Sequence, residues 1–302
     1  MARSALARMG ASADRIEAFE RQYVPSRGLR HLAVGDPEAI SRAVMRSRIA
    51  RTGRDAVLYD ELGILARGIG AGAFHAFIRV AYAIADGNDD ELAAGLTYWR
   101  SAALDLGAQG PPARTAESFD PAGALALARA LLAHVPPSLD AGALIAERMA
   151  AVARDGAFDA VVGEPYFEAD AVSRIAAATV RIFAATRSFT LLHAMTATHA
   201  IRIVLPFAPD RNLFLAYFWR AYVAAYVSAG APAFLEATAF ASAIASAPNW
   251  EPLLAIARGS DDEHVVKATF TAWTEDSVYH DPLYRVATVR YLRLDDAARA
   301  TM

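Results

Sequence analysis

Cysteine is absent from this chain of 302 residues. Disulfides, thiolate nucleophiles, cysteine zinc sites and cysteine-ligated iron–sulfur clusters are therefore excluded. Long apolar runs are also lacking, because the longest, Leu213 to Val227, contains Arg220 and is shorter than a membrane span requires. Arginines and polar residues interrupt every short apolar stretch near the amino terminus, which argues against a signal peptide. The sequence predicts a cytoplasmic protein without a membrane segment.

Lysine is nearly absent as well. The chain has 30 lysine and arginine residues, of which only Lys267 is a lysine and 29 are arginines (30 − 1). Arginine stays charged in proteins, whereas a buried lysine can lose its proton. Lys267 is therefore either a chance survivor in an arginine-rich composition or a residue kept for chemistry that arginine cannot perform. It follows His264 by three residues, so the two side chains share a face on a helix.

The composition favours helices. Hydrophobic residues make up 55% of the chain, and many are alanine, the strongest helix former. The net charge of −3 argues against a general nucleic-acid binder. No period-two alternation lasts long enough for a confident strand, so we predict one all-α domain over residues 1–302 with about a dozen helices. The predicted helices cover about 2–22, 37–49, 54–67, 73–85, 91–106, 122–134, 140–153, 170–187, 189–205, 210–228, 233–246, 251–258, 261–278 and 282–298.

Two glycine-containing stretches interrupt these helices. Residues 68–72, Gly-Ile-Gly-Ala-Gly, resemble a dinucleotide loop, but the third glycine comes one place early and no strand precedes it. We interpret the stretch as a helix break that sets the angle of the next helix. Residues 107–121 are rich in Gly, Pro, Ser and Thr and predict a loop.

Three histidines lie in apolar helical segments. His193 and His199 share one predicted helix, and their spacing of six residues places them about 120° apart. A regular helix would not direct both at one ion, although a π-bulge could bring them closer; otherwise one binds and the other packs. His75 begins the helix after the glycine break. The alternative for each is a core histidine bonded to a carbonyl. We predict structural or solvent roles for His31, His134 and His280.

Two further segments suggest a site. Ser260 and Glu263 predict a capping box that starts a helix carrying His264 and Lys267. Asp262 or Glu263 could orient a ligand there. On another helix, aromatic side chains including Trp219 and Tyr222 predict either a wall for a flat substrate or a packed core.

Several segments, in order along the chain, resemble the questin oxidase-like family. They are residues 74–84, 189–202 and 264–267, together with the Asp-Pro-Leu-Tyr of residues 281–284. The resemblance implies an all-helical fold and oxidative chemistry. Fungal relatives act on anthraquinone-type aromatic polyketides, opening a ring by oxygen insertion or by oxidative carbon–carbon cleavage. O₂ and a small aromatic substrate are the implied partners.

The resemblance also implies a non-haem iron held by histidines and a carbamate-modified lysine. The matching positions here are His75, His193, His199, His264 and Lys267, with His264 and Lys267 in the catalytic role and the metal between central helices. A neutral amine reacts with CO₂ to give a carbamate, and burial and a nearby dication both favour this. Mixed imidazole and oxygen ligands suit Fe(II), and zinc or manganese are also possible.

One feature of the family is missing. Its members carry an Asn-His motif before a helix that resembles residues 2–22, and this sequence has none there, so we expect one donor fewer or a water. Two alternatives to an oxygenase follow: a helical binding protein that has lost the metal, or a metal-dependent hydrolase with a carbamylated lysine. The use of NADPH stays open, since the sequence shows no nucleotide-binding motif, and so does the oligomeric state.

Overall fold

The structure is a computed structural model that describes residues 1–26, 33, 35–110, 119–136, 140 and 142–294. These residues form sixteen α-helices and no strand, which confirms the all-α prediction. Their one isolated β-bridge joins Ile69 to Leu104. None of the described helices is long and apolar enough to cross a membrane.

The helices follow one another with short connections. They are α1 (Ala2–Arg8), α2 (Ala13–Ser26), α3 (Pro37–Thr52), α4 (Arg54–Leu65), α5 (His75–Ala85), α6 (Asp89–Ser101), α7 (Pro121–Leu132), α8 (Ile145–Ala153), α9 (Phe158–Val162), α10 (Ala171–Thr186), α11 (Phe189–Val204), α12 (Arg211–Ser228), α13 (Ala241–Ser246), α14 (Trp250–Gly259), α15 (Glu263–Tyr279) and α16 (Leu283–Tyr291).

Local side-chain chemistry explains several of these boundaries. The carboxylate of Asp36 accepts a hydrogen bond from the Glu38 backbone, and Pro37 occupies the first helical position of α3, as predicted. The prediction of one helix over residues 2–22 is wrong, because the chain turns at Gly10, whose φ is +85°. The short helix α9 has no counterpart among the predicted helices.

The chain contacts divide into two compact units. Unit 1 contains Met1–Ala33, Val180–Arg187 and Leu235–Met302, and unit 2 contains Val34–Thr179 and Ser188–Phe234. Helix α10 contributes residues to both. The single-domain assignment stays a prediction.

In each unit, the helices that carry the candidate ligands pack against neighbouring helices of the same unit. In unit 2, α5 packs against α6 and α11, and α12 packs against α8 and α11. In unit 1, α15 packs against α1, α14 and α16. The candidate ligands thus lie on central helices: His75, His193 and His199 in unit 2, and His264 and Lys267 in unit 1.

Candidate functional site

A strained turn directly precedes His75, the first residue of α5. Gly72, Ala73 and Phe74 all have left-handed backbones, with φ of +54°, +56° and +68°. This conformation costs an L-residue roughly 1–2 kcal/mol. A Cβ on Gly72 would lie 2.4 Å from the hydroxyl oxygen of Tyr98, so no larger residue fits without movement there. The predicted helix break is confirmed, and backbone strain of this kind concentrates at functional sites.

The turn and α11 bring His75 and His193 together. Their ring centroids lie 4.8 Å apart and the rings are nearly perpendicular, at 82°. Nδ1 of His75 lies 2.6 Å from the Gly72 carbonyl, and Nδ1 of His193 lies 2.8 Å from the Phe189 carbonyl. Because a carbonyl only accepts, each Nδ1 carries the proton, and in the neutral ring the lone pair is then on Nε2. Metal-binding histidines are commonly fixed in this way, and the same bonds also fit the alternative of a core histidine bonded to a carbonyl.

His199 reaches a different part of α5. Helix α11 is α-helical throughout, so the π-bulge alternative is wrong. The His199 ring lies 6.3 Å from the ring of Tyr82, which is seven residues beyond His75 on α5. Within the described residues no group of three or more His, Cys, Asp or Glu side chains is placed to hold a metal. The structure thus brings two predicted ligands of unit 2 together and places the third beside Tyr82.

The histidine pair lies near the surface of unit 2. His193 is buried and His75 is half-buried. The Phe189 ring packs edge-on against His193, with centroids 4.8 Å apart, and half of its surface is exposed.

In unit 1, the start of α15 differs from the predicted capping box. Asp262 is the N-cap and accepts from the His264 backbone N–H at 2.8 Å, while Ser260 accepts from the Asp262 backbone at 3.1 Å. The capping-box prediction is wrong because aspartate caps as well as serine does, and Glu263 turns its carboxylate to Lys267 instead. Asp262 also lies 3.0 Å from Nδ1 of His264 and orients that ring.

Lys267 is held by a buried ion pair. Its Nζ donates to Oε2 of Glu263 at 2.7 Å, and the hydroxyl of Tyr23 donates to the same oxygen at 2.9 Å. Burial alone would raise the pKa of Glu263, but the charge of Lys267 and these hydrogen bonds outweigh it and lower the pKa to about 2. In this arrangement Lys267 is an ammonium, so the carbamate stays a prediction.

The same ammonium affects His264. Burial lowers the pKa of His264, and the charge of Lys267 lowers it further. Glu263 and Asp262 act in the opposite direction without reversing the shift. The imidazole is therefore biased toward its neutral form, the form that binds metals.

Sequence reasoning missed two residues of α2. Arg15 donates to the carbonyls of Arg258 and Ser260, at 2.7 and 2.6 Å, and pairs with Asp261 at 2.8 Å. Tyr23, two turns later on the same face, bonds Glu263. Together they fix the segment that leads into α15. The spacing of Arg15 and Tyr23 signals a shared face, but nothing in the sequence identifies a partner about 240 residues away.

The proposed substrate wall lies in the core of unit 2. Trp219 and Tyr222 are fully buried and stack on each other, with centroids 5.4 Å apart. The Tyr222 and Thr179 hydroxyl oxygens lie 2.8 Å apart, and burial raises the pKa of Tyr222. Contact with a substrate would require this packing to open, and it stays a prediction.

The other described histidines lie at exposed positions. Nε2 of His134 lies 2.9 Å from the Asp155 carboxylate on the surface. His280 ends α15 in a left-handed conformation, with a φ of +54°. His31 lies outside the described residues.

Comparison with known proteins identifies the family. The model of the family described as questin oxidase-like matches residues 45–271, more than half of the chain. This chain belongs to the questin oxidase-like family. The matched range includes every predicted ligand in both units, and family membership points to an oxidase that acts on polyketide substrates. No curated protein matches the chain.

Proposed function

We propose that this member of the questin oxidase-like family is a non-haem iron-dependent oxygenase. It would open a ring or cleave a carbon–carbon bond of an aromatic quinone or polyketide-type substrate, by a Baeyer–Villiger-like or dioxygenase reaction. The observation that carries the proposal is the His75–His193 pair, with each Nδ1 fixed by a carbonyl. Family membership supports the coarser part of the proposal, an oxidase that acts on polyketide substrates.

The donor chemistry of the pair fits a metal. Two neutral imidazoles are suitable ligands for Fe(II), and also for zinc or manganese. His199 of unit 2, and His264 and Lys267 of unit 1, stay predicted donors. Bound iron would supply the capacity to bind and activate O₂ beside the substrate.

The protein's own residues prepare these donors. The left-handed turn and the two Nδ1 hydrogen bonds keep the rings of His75 and His193 from rotating. Asp262 does the same for His264. Lys267 must leave Glu263 and lose a proton before its amine can add to CO₂, so the pair with Glu263 is the resting arrangement in this proposal.

The ion pair of Lys267 also supports a second candidate, a helical small-molecule-binding protein without a metal. A lysine whose charge is satisfied by Glu263 and which is buried among helices has a sufficient structural role. In that case the protein binds aromatic ligands without oxidising them.

Metal analysis separates the two candidates. The protein is reconstituted anaerobically with Fe(II), and bound iron and O₂ consumption with a hydroxyanthraquinone are measured with and without NADPH. The oxygenase proposal expects stoichiometric iron in the wild type and its loss in His75→Ala and His193→Ala. His134→Ala, which alters an exposed histidine, is the matched control. A wild type that takes up no iron, manganese or zinc but binds the quinone would favour the binding protein.

The sole lysine makes the carbamate directly testable. After incubation with ¹³CO₂, a carbamate carbon signal that disappears in Lys267→Ala belongs to this residue, because no other ε-amine exists in the chain. The proposal expects the signal to appear only in the metal-loaded protein, with diamagnetic Zn(II) in place of iron. Its absence from Zn(II)-loaded wild type would remove Lys267 from the ligand set.

A further inference from the structure

Three helices of unit 1 line a pocket that has no role in the proposed oxygenase chemistry. Its volume is about 400 Å³, which is within the range of small-molecule sites. Trp250 comes from the start of α14, Trp273 and Asp276 come from α15, and Arg285 comes from α16. The pocket therefore combines two indole rings with a guanidinium group and a carboxylate.

The two tryptophans of the pocket differ from the other two of the chain. Trp99 and Trp219 are fully buried, whereas Trp250 and Trp273 keep part of their surface exposed where they line the pocket. Among the described residues, no ring contact joins Trp250 to Trp273, and the ring neighbour of Trp273 is Phe270 on its own helix, with centroids 6.5 Å apart. An indole offers a large flat surface on which planar rings stack. The exposed indole surface is therefore available to an aromatic ligand.

The guanidinium of Arg285 has hydrogen-bond donors that the protein does not use. Its Nε is buried without a hydrogen-bond partner among the described residues, and it lies 3.9 Å from Oδ2 of Asp276, beyond hydrogen-bond distance. The described part of the chain contains no hydrogen bond of this side chain and no other ion pair. A buried donor without a partner is costly and needs a reason. The side chain lines the pocket and is 28% exposed, so a ligand can reach the guanidinium.

The ordinary alternative is that Arg285 serves only as the counter-ion of Asp276. The Asp276 carboxylate, however, accepts a hydrogen bond from the indole N–H of Trp250 at 2.6 Å through Oδ2, the same oxygen that is nearest to Arg285. An arginine that serves a carboxylate alone usually makes direct and often paired N–H bonds to it. Asp276 therefore fixes Trp250 at the pocket, and the distant ion pair does not account for the position of Arg285.

The groups of the pocket favour an anionic ligand over a cation. Indole faces attract cations, but a cation here would lie beside Arg285. The guanidinium fork instead matches the two oxygens of a carboxylate, and the exposed imidazole of His280 adds a further possible donor. Two helices begin at the pocket, at Trp250 and after Pro282, and one ends there before His280, so the helix dipoles do not oppose an anion.

We propose that this pocket binds a planar aromatic carboxylate, with its ring against the indoles of Trp250 and Trp273 and its carboxylate on the guanidinium of Arg285. Asp276 is a positioning residue that holds the Trp250 indole. The site involves neither the histidine pair nor Lys267, so it is a second ligand site that does not rest on the oxygenase proposal.

Three probes separate the contributions of ring and charge. 2-Naphthoate has both, 2-naphthamide keeps the ring without the charge, and cyclohexanecarboxylate keeps the charge without an aromatic ring. In titration calorimetry with the full chain, the wild type should bind 2-naphthoate about tenfold more tightly than either of the other probes. Equal binding of 2-naphthamide would contradict a carboxylate site, and equal binding of cyclohexanecarboxylate would contradict an aromatic one.

Substitutions assign the binding to this pocket. Arg285→Gln should weaken binding of 2-naphthoate about tenfold and leave binding of 2-naphthamide unchanged, because only the charge is lost. Trp273→Leu should weaken binding of both naphthyl probes. Arg3→Gln is the matched control, because Arg3 is an exposed arginine of unit 1 that does not line the pocket, and this variant should bind like the wild type. Thermal unfolding checks that each variant is folded.

Two results would overturn the proposal: a wild type that does not bind 2-naphthoate, or an Arg285→Gln variant that binds it like the wild type. If Trp273→Leu does not fold, the comparison of 2-naphthoate with cyclohexanecarboxylate tests the need for an aromatic ring in the wild type alone. Iron uptake plays no part in these measurements, so failure of this proposal is distinguishable from failure of the oxygenase proposal.

Discussion

The candidate ligands of the two units are held by different kinds of partner. In unit 2, His75 and His193 direct Nδ1 at uncharged backbone carbonyls. In unit 1, His264 and Lys267 contact the carboxylates of Asp262 and Glu263. A neutral imidazole with a fixed tautomer is a ready metal ligand, whereas a lysine in a buried ion pair must first break that pair. The comparison thus separates prepared donors from a lysine whose contact is a buried ion pair.

Removal of Lys267 should have the largest effect on stability. Lys267→Met leaves the Glu263 carboxylate buried without its cation, and we expect a loss of about 3–5 kcal/mol in the free energy of unfolding. The double variant Glu263→Gln/Lys267→Met removes both charges and should recover most of that loss. Urea denaturation measures both. If the single variant is as stable as the double variant, the ion pair does not stabilise unit 1.

Acid should weaken the same pair. The folded-state pKa of Glu263, about 2, lies below its ordinary value, so the unfolded state binds the proton more tightly. The contribution of Glu263, roughly 3 kcal/mol, is complete above pH about 5 and is lost as the pH falls toward about 2. The lowered pKa of His264 acts in the same direction at higher pH.

The control for this acid effect is Glu263→Gln, whose stability should vary less with pH over that range. Unfolding free energies of the variant and the wild type, measured across the acid range, test this expectation. A variant with the same pH dependence as the wild type would assign the acid sensitivity to other groups.

Substitution of Arg15 should lower stability more than substitution of Arg3, another arginine of unit 1. Arg15→Gln removes three contacts to the segment before α15, so we expect a loss of about 1–2 kcal/mol and faster modification of Lys267 by an amine reagent. Arg3→Gln removes only an exposed pair with Glu20 and should change neither. Mass spectrometry reports on Lys267 directly. Equal labelling in both variants would mean that Arg15 does not position the start of α15.

The smallest expected effect concerns the strained turn of unit 2. Ala73→Gly relieves a left-handed alanine and should stabilise the protein by about 1 kcal/mol. If the strain holds His75 in place, the same variant should bind metal more weakly. Thermal unfolding and metal titration together test this, and a variant that is more stable with unchanged metal affinity would make the strain incidental.

The helical fold was predictable from local signals. Alanine content and periodicity predict most helices, and Asp36-Pro37 correctly marks the start of α3. The predicted boundaries are wrong where two local signals compete over a few residues. Gly10 divides the first predicted helix, and Asp262 rather than Ser260 caps α15.

The arrangement of the site was less predictable, because it depends on tertiary packing. The sequence places His193 and His199 on one helix, but only the packing of α5 on α11 shows that His193 meets His75 and His199 meets Tyr82. The contacts of Arg15 and Tyr23 join residues about 240 positions apart, and no local pattern encodes such partners.

Nitrogen-15 NMR of the histidine side chains tests the central claim most directly. Zn(II) serves as a diamagnetic stand-in for iron. We predict that on addition of Zn(II) the Nε2 resonances of His75 and His193 shift together, while Nδ1 of each ring stays protonated and bonded to its carbonyl. Spectra in which neither Nε2 responds, or in which only the exposed His134 does, would contradict the assignment of this pair as metal ligands.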